Sequence, residues 1–291
     1  MAEAAQQKFT FDKGIITEEI TSKLQKVTIS NENGTVELRR STGTNIEIHT
    51  IVEVSRSTKE EAEDLASQSE VQVKQARGRN LSIGTGEFVL QVPGRPCIHM
   101  TISLPQTFDA DLEGEIANGD VVMTDMPGTG KIKWVTDNGN QMISGTDADL
   151  TLQSDNGRIQ IHDAGQDVKA EVSSGRIEAV QVGGVLDVKI SRGQLDVNDA
   201  ASFMEASVEA GDFNITSSIV GGNWRVSSEL GDVTLAWPKE ASVKVDASAS
   251  LGQVQSDFDL KLNKNLAADS LNKGKYSIKA STLGQIQLQE S

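Results

Sequence analysis

The sequence predicts an all-β fold, a single-stranded parallel β-helix of about 18 residues per coil, from three observations. A glycine recurs with similar neighbours at Gly119, Gly139, Gly157, Gly175, Gly193, Gly211 and Gly231, so the steps are twenty positions, then four times eighteen, then twenty. Apolar and polar side chains alternate on both sides of each glycine, which is the period of a strand with one buried face. Finally, 26 glycines against 5 prolines, with only 4% aromatic residues, suit many short strands joined by tight turns.

The elements follow from that frame. Residues 1–7 read as a tail, disordered or vector-derived, because Met1 to Gln7 is short and polar and does not resemble a signal peptide. Residues 8–112 read as a β-rich N-terminal cap, with strands at Val36 to Leu38, Ile46 to Val54, Val71 to Val73 and Ile98 to Ile102. One short helix is expected near 58–68, where Thr58 offers an N-cap hydroxyl and Glu60 and Glu61 place acids in the first turn. Residues 113–291 read as coils. After each glycine come two apolar residues in strand phase, such as Ile159 and Ile161, Leu195 and Val197, or Phe213 and Ile215. Before the next glycine comes a second set, such as Val168, Ala170 and Val172, then Leu186, Val188 and Ile190. Further copies at Gly252 and Gly284 extend the series, and the polar stretch 262–275 reads as a loop or C-terminal capping insertion. A right-handed sense follows from the general preference of parallel connections. One coil cannot bury enough apolar surface to hold itself, so coils must stack and the ends must be capped.

Composition narrows the function. With 27 basic and 42 acidic residues the net charge is −15, which disfavours nucleic acid and anionic lipid as partners. No apolar run approaches the ~20 residues of a membrane span, so no direct membrane insertion is expected. Cys97 is the single cysteine, which excludes an internal disulfide and a cysteine-based zinc site.

Each candidate site has a structural alternative. Asn118, Asn138 and Asn156 each precede a glycine and read as an internal asparagine ladder, because the row dissolves into Ser174, Arg192, Ala210 and Leu230. Lys169 stands eighteen positions before Asp187, and Glu171 eighteen before Lys189, which places opposite charges side by side on neighbouring strands. Arg158 and Arg176 break that rule as like charges one coil apart, which makes them ligand-contact candidates for an anion or acidic glycan. Trp134 and Trp224 fall in the inward phase; Trp237 falls outside it and is the third ligand-contact candidate. Calcium-binding β-rolls need paired glycines in every nonapeptide, so Asp147, Asp149, Asp163 and Asp167 do not make a metal site. His49, His99 and His162 show no metal or triad spacing, and no acid pair stands out for glycan cleavage. No catalytic residue, metal or cofactor is expected.

The order of a strand-rich start, an acidic helix, a strand ending in Ser103-Leu104-Pro105, then Asp109-Ala110-Asp111-Leu112 and a series of Asn-Gly-Asp or Ser-Gly-Arg coils resembles one known family. It is similar to the bacterial putative-adhesin family of β-strand-repeat proteins of unknown function, from about residue 25 to the end. The resemblance implies a place in the cell envelope or outside the cell, with a cytoplasmic location as the alternative. The expected function is a non-catalytic binding or scaffolding protein that presents repeated polar faces to a glycan, wall polymer or protein. The alternatives are a self-assembling β-helical scaffold and a polysaccharide lyase or hydrolase.

Overall fold

The computed structural model describes residues 6–85, 95–128, 130–200 and 202–291, so most of the expected tail at 1–7 lies outside the described residues. The fold is all-β with an open sheet and, among the described residues, one helix. The chain divides into two compact units, Met1–Met142 and Ile143–Ser291.

In unit 1, β1 (Gln7–Glu19) precedes β2 (Lys26–Asn33) and β3 (Val36–Ser41), and the last two meet at a corner at Gly34. β4 (Asn45–Arg56) leads into α1 (Lys59–Ser67), then β5 (Val71–Ala76), β6 (Asn80–Thr85) and β7 (Cys97–Pro105). β8 (Asp111–Asn118), β9 (Val121–Thr124) and β10 (Lys131–Asn138) follow, and β11 (Gln141–Thr146) runs across the unit boundary. The layers do not stack in sequence order. β2 lies parallel between β6 and β8, and β3 lies parallel between β7 and β9. Residues 26–41, which the pattern assigns to the cap, are therefore a layer of the parallel stack. The antiparallel strands lie outside it: β4 on β7, β1 on β4 and β5 on β6. The helix starts where Thr58 Oγ1 accepts the Glu61 N–H at 3.3 Å, and its small buried residues Ala62 and Ala66 let it lie close to β4 and β1.

Strand β1 is a long edge with little buried surface, held to β4 partly by charge. His49 Nε2 lies 2.9 Å from Asp12 Oδ1, and Lys8 Nζ lies 2.6 Å from Glu53 Oε2, which also faces His99 at 3.3 Å. The Gly14 N–H and then His49 hold the Asp12 carboxyl below its usual range; the Lys8 hydrogen bond does the same for Glu53, against the opposing effect of burial. Both carboxylates therefore stabilise β1 at neutral pH, and that contribution is lost as pH falls through their lowered folded-state values. Acidification is expected to break NMR contacts between Phe9 and Val54, which are paired in register, before the core of unit 2 melts. Contacts that persist until global unfolding would show that these charges do not hold the edge.

In unit 2, β12 (Asp149–Ala164), β13 (Val168–Val182) and β14 (Leu186–Ala200) each run through a glycine corner, and later layers divide into strand pairs. These are β15 (Met204–Ala210) with β16 (Phe213–Thr216), and β17 (Trp224–Leu230) with β18 (Val233–Trp237). β19 (Val243–Ala249) and β20 (Val254–Ser256) come next, then β21 (Leu262–Asn263), β22 (Leu266–Leu271), β23 (Tyr276–Thr282) and β24 (Ile286–Glu290). β12, β13 and β14 pair in parallel with Gly157 opposite Gly175 and Gly175 opposite Gly193. The alternation fills the interior with columns such as Val168–Leu186–Met204–Trp224, all buried. A second corner recurs without glycine at Asp163, Gln181 and Asp199, with φ of 57°, 57° and 58°.

The end of unit 2 departs from sequence order. β23 pairs in parallel with β17 on one side and β19 on the other, and β24 does the same between β18 and β20. The glycine row therefore runs Gly231, Gly284, Gly252, which corrects the sequential stacking that the spacing suggests. The reason is physical: moving a layer by a whole rung preserves every inward and outward position, so the pattern fixes phase but not order. β22 then lies antiparallel on β19, with β21 folded back on it, and this hairpin covers the edge that the parallel layers leave open.

Candidate functional site: a serine-floored groove

Glycine corners bring the residues just before them into line, and in unit 1 these form a hydrogen-bonded ladder. It lies on the exposed face and not inside, which corrects the expected internal ladder, because Asn118, Asn138 and Asn156 are all exposed where their strands reach the corner. Asn118 Nδ2 donates to Asn33 Oδ1 and Asn138 Nδ2 donates to Asn118 Oδ1, each at 3.1 Å. Sequence periodicity missed Asn33, 85 residues away; the signal available was its own Asn-Gly pair followed by the apolar Val36 and Leu38. Asn156 holds the equivalent position in unit 2, in register with Ser174. The aspartates after the corners also serve the backbone. Asp120 Oδ1 accepts the Asn140 N–H at 2.7 Å, Asp212 Oδ1 that of Asp232 at 2.9 Å and Asp232 Oδ1 that of Gln285 at 2.8 Å.

The three ligand-contact candidates do not come together. Arg158 and Arg176 stand side by side in register, and Arg176 Nη2 lies 2.7 Å from Asp196 Oδ2, so that guanidinium is committed to a carboxylate within the unit. Trp237 is fully buried and stacked on Phe258, with ring centroids 4.5 Å apart. This corrects its reading as a ligand contact: β18 runs on without the corner that Asp163, Gln181 and Asp199 make six residues after their glycines, so Trp237 shares the inward phase of Val233 and Leu235 and its indole enters the core. The buried indole N–H has no hydrogen-bond partner among the described residues. Trp237→Phe removes that orphan donor but leaves space where the larger indole packed, so thermal unfolding is expected to show a loss of about 1–2 kcal/mol. A loss of several kcal/mol would mean that the N–H has a partner.

The charge pairs one period apart are in register, Lys169 with Asp187 and Glu171 with Lys189. Burial pushes Glu171 upward, but Gln153, Lys169 and Lys189 outweigh it and hold the carboxyl below its usual range. Lys169 makes its closest ion pair with Glu171, at 3.4 Å, so the row acts as a network rather than as isolated pairs.

A concave polar feature of unit 2 lies elsewhere. A groove of about 400 Å³ opens on the outward face of β14, β15, β17, β23 and β19. Its floor carries Ser207, Ser227, Ser281 and Ser248 in one register row, on four adjacent strands about 4.8 Å apart. The neighbouring row reads Glu205, Arg225, Lys279, Asp246, and Lys189 extends the serine row on β14. Small side chains beneath, Ala206 and Ala280, alternate with these outward positions. Arg225 lies over the Phe203 ring at 5.8 Å, which steadies its guanidinium. Among the described residues neither Arg225 nor Lys279 forms an ion pair, although Glu205 and Asp246 flank them in register. No group of three or more His, Cys, Asp or Glu residues that could hold a metal occurs among the described residues. No described helix is long and apolar enough to cross a membrane.

Residues 24–288 match the Toastrack DUF4097 family model. The chain belongs to the Toastrack DUF4097 family. Solved structures similar to this family member include a putative adhesin from Bacteroides fragilis, 13% identical with a TM-score of 0.41, covering 98% of each chain. A putative cell adhesion protein from Clostridium sporogenes is 13% identical with a TM-score of 0.26, covering 98% of this chain and 100% of that one. A putative adhesin from Parabacteroides merdae is 10% identical with a TM-score of 0.31, covering 99% and 97%. At these values none bears on what this Toastrack chain binds. No curated protein matches it significantly.

Proposed function

We propose that this Toastrack protein is a non-catalytic binding module of the cell envelope, built on a right-handed parallel β-helix with one glycine period per coil, whose ligand lies along the groove of unit 2. The groove carries the reading. It sets hydroxyls and cations at a regular rung spacing on a stiff surface, so a repeating polymer can make many modest contacts at once. Its two lining acids, Glu205 and Asp246, are three strands apart in one row, about 14 Å, beyond the ~5–9.5 Å over which paired carboxyls cleave glycosidic bonds. Asp187 stands one strand beyond Glu205, outside the lining. Co-sedimentation with purified bacterial wall polysaccharide tests the reading. Saturable binding with no release of soluble sugar is expected; no binding, or steady turnover, would overturn it.

Self-assembly is favoured by a different observation. Leu230, Leu283 and Leu251 precede the three last glycines of the stack and are 61%, 37% and 83% exposed, an apolar row on successive layers. Under that reading a second copy covers the row. Sedimentation velocity would show a dimer that Leu251→Asp dissolves; a monomer at all concentrations retires it.

A further inference from the structure

Resting on that binding-module reading, we infer that the groove takes an acidic polysaccharide, with Arg225 and Lys279 on its carboxylates and the serine row on its sugar hydroxyls. Charge complementarity points this way first. In a chain of net charge −15, the groove gathers Lys189, Arg225 and Lys279 against two acids. Arg225 and Lys279 are adjacent in register, exposed and outside any ion pair among the described residues. Two like charges on neighbouring strands destabilise each other. An anionic group bound between them relieves that repulsion.

The chemistry of the pair divides the work. Arg225, steadied over Phe203, offers a planar fork suited to a carboxylate, while Lys279 adds a mobile point charge one rung away. Ser207, Ser227, Ser281 and Ser248 each offer one donor and two acceptor sites, all of which sugar hydroxyls can use, whereas a chain of bare phosphates uses only the donors. The flanking Glu205 and Asp246 limit how long an anionic stretch the groove accepts, and each can accept a hydrogen bond from a hydroxyl. A polymer that alternates hydroxyl-rich and carboxylate-bearing positions fits this arrangement better than a uniform polyanion.

Isothermal titration of the full chain with polygalacturonate, dextran and polyphosphate tests the inference. Polygalacturonate is expected to bind with an affinity that falls as salt rises, and dextran is expected not to bind. Arg225→Gln with Lys279→Gln should raise Kd at least ~10-fold while the melting temperature does not fall, since both side chains are exposed and repel each other. Ser227→Ala with Ser281→Ala should weaken polygalacturonate more than polyphosphate, and Lys133→Ala in unit 1 should change nothing. Polyphosphate binding as tightly as polygalacturonate, with no effect of the serine pair, would reduce the site to bare charge attraction and overturn the inference. Dextran binding equally well, or wall polysaccharide binding that survives the Arg225 and Lys279 changes, would also overturn it and leave the broader reading standing. Failure of every polymer, wall polysaccharide included, would sink both.

Discussion

A chain ending at Lys273 is expected to lose the cooperative fold of the C-terminal half of unit 2, although only its last eighteen residues are gone. β23 and β24 are not an appendix. They are the layer between β17 and β18 on one side and β19 and β20 on the other, so removing them breaks parallel ladders on both faces. The buried side chains of Ile278, Ile286 and Leu288 go with them, about 5–9 kcal/mol of burial in total, comparable with the whole stability of a typical domain. Four freshly exposed strand edges, those of β17, β18, β19 and β20, would also invite aggregation. Circular dichroism melts and limited proteolysis check this. A truncated chain that melts in one transition at the full-length temperature would show that the inserted layer is dispensable.

Gly193→Ala is the second large effect, and two separate penalties make it so. A Cβ there would lie 1.6 Å from the Gly175 carbonyl oxygen, and Gly193 holds φ at 147°, which side chains rarely adopt. Backbone strain of about 1–3 kcal/mol adds to about 1–3 kcal/mol of overpacking, because the obstacle is main chain that cannot rotate away. Denaturant unfolding measures the sum. A loss below about 1 kcal/mol, less than either penalty alone, would mean that the corner opens without disturbing the layers beside it.

These two effects also mark what was legible in the sequence. The corner was legible because its cause is local: each layer repeats the same close approach, so the glycine returns at every eighteenth position from Gly157 to Gly211, and the register Lys169–Asp187 follows from the spacing. The inserted layer was not legible. Gly252 and Gly284 announce two more corners but carry no information on which one lies next to Gly231. The same blindness hid the groove. Ser227 and Ser281 are neighbours in space although β18 to β22 lie between them in the chain, and Ser248 lies beyond Ser281 although it precedes it. Arg225 and Lys279, adjacent in the sheet, showed no period for the same reason. Arg158 and Arg176 did show one, and their alignment is real, yet Arg176 is paired with Asp196. Trp237 shows the opposite failure: it stands where Asp163, Gln181 and Asp199 turn a corner in other layers, but β18 continues straight, so the ring keeps the inward phase of Val233 and Leu235 and packs on Phe258.

The most direct test of the account is NMR chemical-shift mapping of the full chain as wall polysaccharide is added. The account predicts shifts clustered at Ser207, Ser227, Ser248 and Ser281 with Arg225 and Lys279, on strands far apart in sequence and side by side in the fold. Shifts confined to the Asn33–Asn118–Asn138 ladder, or to the Arg158 and Arg176 face, would contradict it and move the binding surface elsewhere.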